Sequence, residues 1–237
     1  VLAEDTRHTR HLLERYDIKA SFFVPGVVIG TYPRECAMLV AAGHEIGHHG
    51  WTHVTPVSLS REQEEEHLIR GNEAIEKLAG RKARGYRSPA WDLSPHTIEL
   101  LLKHGFLYDS SLMGDDYTPY RARLGDRVPA DGPLQFGQPS KLIEMPISWS
   151  LDDYPHFEFA RTPGLMNANL VLENFVEDFL WMKRHLRQGV LTYTFHPYVI
   201  GRGHRMAMLE RLILKLADNG ASFLTLERAA TDFAAQY

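Results

Sequence analysis

Short β-rich runs and helical stretches alternate along this chain, and nearly every run hands over to a residue able to do chemistry. Residues 18–24 are β-branched and aromatic and close on Pro25-Gly26. The run 44–48 leads to His49 and His53, 85–87 ends on Arg87, and 106–108 precedes Asp109. The run 142–149 leads to Asp152 and Asp153, and 190–195, continuously apolar like a buried parallel strand, delivers His196. Helical stretches separate them. Ser60-Arg61-Glu62-Gln63 is a capping box opening a helix that Gly80 stops, and further helices read over 33–42, 95–104, 169–187 and 206–218. Such alternation predicts an α/β fold with a parallel sheet. Chemistry-bearing residues at the carboxyl ends of about seven strands predict a distorted (β/α) barrel rather than an open sheet. With no internal repeat and no linker, residues 1–237 read as one domain.

Composition narrows the function. Hydrophobic residues make up 44% of the 237, enough for a real core. The net charge of −4 and the lack of a basic patch argue against a nucleic-acid partner. No apolar stretch approaches the ~20 residues of a membrane span. The one cysteine, Cys36, excludes a disulfide framework and a cysteine-based zinc site, and fits a reducing, cytoplasmic location. Residues 109–141, dense in Gly, Pro and Asp, read as a long functional loop able to cover a site and leave a small, partly closed pocket.

Four of the thirteen histidines fall between Gly43 and His53. His49 and His53 are four apart. On one helical turn they would share a face and converge on one ion, zinc or another divalent metal. His48 reads as a bystander that points elsewhere, and His44 as structural.

Gly43-His44-Glu45-Ile46-Gly47-x-His49-x-x-x-His53 resembles the second motif of the polysaccharide deacetylase superfamily, carbohydrate esterase family four. Arg87-Ser88-Pro89-Ala90-Trp91 resembles its third motif, Tyr108-Asp109-Ser110-Ser111-Leu112 its fourth and Thr194-Phe195-His196-Pro197 its fifth. The 109–141 segment and Trp149-Ser150-Leu151-Asp152-Asp153 are most similar to the branch of peptidoglycan deacetylase, cyclic imide hydrolase and the allantoinase relatives. The family's first motif, an aspartate pair on the first barrel strand, has no counterpart; Asp5 is the nearest aspartate and its setting is not a strand. Either the chain lacks its natural N-terminus and with it the first strand, or that segment is disordered, or the protein lacks the motif; the resemblance implies that an aspartate there would be the third metal ligand.

The resemblance implies metal-dependent hydrolysis of a non-peptide carbon–nitrogen bond, in an N-acetyl amino sugar or a small cyclic imide or ureide. His49 and His53 would hold the metal, Arg87 would pair with the catalytic base, and His196 would be the general acid. Asp109 would support substrate or His196, or be a plain turn aspartate. Asp152 and Asp153 would orient His196 or line the pocket. Trp91 and Trp149 would wall it or simply pack. Arg202 would bind an anionic group or belong to a basic loop that opens a helix. Relatives in this branch imply a homo-oligomer. Two alternatives stand beside this: a metal-free, allantoinase-like hydrolase, against which the retained His53 argues, and a catalytically inactive barrel that binds saccharide or assembles with partners.

Overall fold

The computed structural model describes residues 2–158 and 164–236. Its first elements are α1 (Leu2–Arg15), β1 (Ser21–Val24), α2 (Gly26–Thr31), α3 (Pro33–Ala41) and β2 (Glu45–His48). Then follow α4 (Arg61–Ala79), β3 (Gly85–Tyr86), α5 (Thr97–Lys103), β4 (Tyr108–Asp109), β5 (Tyr120–Leu124) and β6 (Gln138–Glu144). The chain continues with α6 (Asp153–Phe157), α7 (Ala168–His185), α8 (Pro197–Ile200), α9 (Gly203–Asp218) and α10 (Leu226–Gln236). Contacts divide it into two compact units. One takes residues 1–20, 116–118 and 147–224; the other takes 21–115, 119–146 and 225–237.

The second unit carries a six-stranded sheet in the order β1-β2-β3-β4-β6-β5. All neighbours are parallel except β5, which runs antiparallel to β6 at the edge. The expected parallel α/β architecture is therefore present. The expected 109–141 loop holds only in part: residues 120–124 and 138–141 of it pair in the β5–β6 hairpin. Its Gly, Pro and Asp residues masked the polar–apolar alternation of Tyr120-Arg121-Ala122-Arg123-Leu124, in which Ala122 is fully buried. Residues 110–119 and 125–137 of the segment lie outside the strands.

Val24, Ile46, Leu68, Ile75, Tyr86, Leu100, Leu101 and Leu142 form the core of this unit. β2 is buried along its whole length, as a central parallel strand must be. Gly47 lies opposite Phe23 across β1–β2, and a Cβ there would sit 2.5 Å from the Phe23 ring. The capping box at Ser60 forms as expected, and Gly80 ends α4 in the left-handed region at φ 75°. Ser21 and Glu45, at the starts of β1 and β2, accept the backbone N–H groups of Leu226 and Glu227 and so anchor the first turn of α10.

The first unit is mostly helical. Val171, Phe175, Val199, Ile200 and Met208 of α7, α8 and α9 are fully buried, with Phe157 of α6. The expected strand over 190–195 is extended but forms no ladder; Thr194 alone bridges, parallel to Asp152. Its backbone bonds go to separate short pieces, Val190 N–H to Tyr117 and Thr194 N–H to Leu151, so no one neighbour continues the pairing. Residues 222–224 likewise pair with no strand among the described residues. No described helix is long and apolar enough to cross a membrane.

Candidate active site

β2 ends at His48, and the following residues leave the sheet in a loop rather than a helical turn. Gly50 at φ 73° and His53 at φ 62° bend this loop back. The bend, not helical spacing, brings the His49 and His53 rings together, with centroids 4.8 Å apart and planes at 76°. His49 Nδ1 lies 2.6 Å from the carbonyl oxygen of Arg87. A carbonyl only accepts, so Nδ1 carries the proton and the ring's lone pair is on Nε2.

Arg87 stands between the two histidine positions of the neighbouring strand. Its N–H donates to His48 O at 2.9 Å while its own carbonyl holds His49. Its guanidinium is buried, 4.5 Å over the Phe23 ring, and donates from Nε to Ser110 O at 2.9 Å and from Nη2 to Ser110 Oγ at 2.8 Å. The turn after it is strained: Ala90 and Trp91 occupy the left-handed region at φ 54° and 58°. Such strain costs about 1–3 kcal/mol per residue and gathers at functional sites. Trp91 is half-buried in that turn.

His48, read from sequence as a bystander, is a clamp. It is fully buried; Nδ1 accepts the Gly50 N–H at 3.1 Å and Nε2 faces Leu68 O of α4 at 3.1 Å. Burial lowers its pKa to about 4, so it is neutral with its proton on Nε2, directed at Leu68. It therefore ties the His49–His53 loop to α4. The signal was Gly71, placed mid-helix where glycine is unfavourable.

Asp109 is fully buried, accepts from Ser111 Oγ at 2.6 Å, and lies opposite Glu144 in the β4–β6 register. Burial raises its pKa to about 6. Its contacts are with the chain behind Arg87, and Glu144, which sequence reading did not single out, is its partner.

The other unit carries a second cluster. His196 caps the N-terminus of α8, and its Nδ1 lies 2.8 Å from Asp153 Oδ1. Both Asp153 oxygens also accept the His196 backbone N–H, at 3.0 and 3.1 Å. Asp152 Oδ1, 3.6 Å from the same Nδ1, accepts the Tyr154 N–H and caps α6. The aspartates are buried while the His196 side chain is 35% exposed. Burial raises Asp153 to about 6, outweighing the opposing bond to His196. Donor atoms of Asp152, Asp153 and His196 lie within 4.8 Å of one another, a set of the kind that can take a divalent ion. The hydrogen bonds make it equally a carboxylate–histidine unit, with Nδ1–H held and Nε2 left to exchange a proton. Tyr154 and Tyr198 flank the ring with centroids at 5.6 and 5.9 Å. Trp149 is 43% exposed in the turn before Asp152. Arg202 is exposed at the N-cap of α9, whereas Arg205 is buried on Val199 O and Phe157 O and is a structural residue.

Comparison with known proteins identifies the family. A family model described as polysaccharide deacetylase matches residues 3–108. A peptidoglycan deacetylase of Helicobacter pylori is 35% identical over 94% of this chain and 81% of its own length. A solved structure from Mycobacterium smegmatis, assigned provisionally to the polysaccharide deacetylases, superposes with a TM-score of 0.85 at 31% identity, covering 99% of this chain and 79% of that one. An allantoinase superposes at 0.82 with 23% identity over 98% of this chain and 73% of its own, a likeness of fold. This chain belongs to the polysaccharide deacetylase family, hydrolases of carbon–nitrogen bonds other than peptide bonds.

Proposed function

We propose that this protein is a metal-dependent N-deacetylase acting on an N-acetylated amino sugar of a polysaccharide. The carrying observation is the 2.6 Å bond from His49 Nδ1 to the Arg87 carbonyl. It fixes the tautomer that a histidine metal ligand needs, with a backbone carbonyl as the outer partner. Two adjacent imidazoles, one with its outer nitrogen tied down, are donors of the kind zinc or another divalent ion takes, and a further ligand would have to complete the set. When bound there, the ion supplies acidity to water and polarisation to the amide carbonyl.

The remaining roles fall to side chains. Arg87, seated on Ser110 and Phe23, keeps a fixed positive charge beside the histidine loop. Asp153 holds the His196 ring by Nδ1 and leaves Nε2 to exchange a proton, the chemistry of a general acid toward a leaving amine. The 35% identity to a peptidoglycan deacetylase supports an amino-sugar substrate over a small ring. The test is acetate release from N-acetylglucosamine oligomers and peptidoglycan, run beside cyclic imides and ureides, before and after chelation and with zinc restored. Chelator-sensitive deacetylation of the oligomers is expected. Turnover of the rings alone, or activity indifferent to chelation, would replace this reading with the cyclic or the metal-free one.

A further inference from the structure

Asp109 and Glu144 are register partners on adjacent strands, so their side chains leave the sheet on one face. Both are fully buried. Each carboxyl spends one oxygen on a donor: Asp109 Oδ1 on Ser111 Oγ, and Glu144 Oε1 on the N–H groups of Ser111 and Leu112 at 2.8 and 2.9 Å. The other oxygens, Asp109 Oδ2 and Glu144 Oε2, are buried with no other donor. Two touching carboxylates cannot both be charged away from water, and one proton between them satisfies both leftover oxygens. Burial, and then the neighbouring Asp109 charge, push the Glu144 carboxyl well above the usual range. Arg87, Tyr86 and Tyr120 are the other titratable or charged groups facing the pair.

The turn these carboxyls grip is the one that seats Arg87. Ser110 accepts both guanidinium bonds and donates its hydroxyl to Met145 O at 2.8 Å. Ser111 Oγ accepts the Ser88 N–H at 2.9 Å, which fixes the backbone just after Arg87. We infer that Glu144 is a positioning residue for Arg87: carrying the proton of a buried acid pair with Asp109, it clips the 110–112 turn and so holds the guanidinium in place. The inference rests on the reading of Arg87 as part of the hydrolytic site. Loss of that proton leaves two adjacent negative charges, which repel, loosen the turn and unseat the arginine.

The raised pKa values set the sign. The folded state holds the proton more tightly than the unfolded chain, so the pair's stabilisation is complete at low pH and fades as pH rises through about 6 and beyond. The experiment compares wild type, Glu144→Gln and Glu144→Ala by denaturation from pH 4 to 9, and by kcat and KM for oligosaccharide deacetylation over the same range. Glutamine keeps the acceptor for the two N–H groups and donates permanently to Asp109. Its stability relative to wild type should therefore rise with pH. Glu144→Ala should lower kcat by roughly 10–100-fold with little change in KM, as loss of an outer partner does, and Glu144→Gln should recover most of that and carry activity to higher pH. Parallel wild-type and glutamine stability curves, or a glutamine variant as impaired as alanine, would overturn the inference. If wild type hydrolyses no amide, the reading of the site fails, while the stability curves still decide the acid pair.

Discussion

His48 and Gly71 share one volume: a Cβ built on Gly71 would lie 2.2 Å from Nε2 of His48. The helix gives up a side chain so that the ring can lie against it and bond Leu68 O. Gly71→Ala should displace the ring, release the Gly50 N–H and cost about 1–3 kcal/mol as an overpacked core does. Divalent metal affinity should fall with it. Thermal denaturation and zinc titration of the variant check both.

His49→Ala and His53→Ala should each abolish stoichiometric metal binding. His49 is tied to Arg87 O and the two rings lie 4.8 Å apart in the same bend, so each would contribute one imidazole to the ion. Elemental analysis of purified protein decides; an unchanged metal content in both variants would refute the assignment.

His196→Ala should cut kcat and kcat/KM together, by roughly 10²–10⁴, because a proton donor acts in the transition state. Steady-state kinetics distinguish this from a binding role, which would raise KM at constant kcat.

Asp153 offers a pH test independent of activity. Its carboxyl rises from 3.8 to about 6 through burial, so its contribution is fully present below about pH 4 and is lost as pH rises through 6. Asp153→Asn should therefore gain stability relative to wild type between pH 4 and 6, by a few kcal/mol at most. It should also lose turnover, since an amide holds the imidazole less firmly. Urea denaturation at stepped pH reads the first, kinetics the second.

What the sequence determined lies in its local patterns. The Ser60–Gln63 capping box, the Gly80 stop, the parallel β1–β4 order and the motif residues at strand ends are all set by neighbours in the chain, through periodicity and backbone preference. The pairing of His49 with His53 was legible as a motif, but its means was not, because the bend depends on left-handed Gly50 and His53. Tertiary structure alone decided three things. It seated His48 against Gly71, 23 positions away. It paired Asp109 with Glu144 across β4 and β6, with β5 between them in the chain. It divided the 190–195 backbone among separate partners, so that an apolar run made no strand. In each, a buried polar group had to find its partner in another segment, and sequence spacing does not encode which segment comes within hydrogen-bond reach.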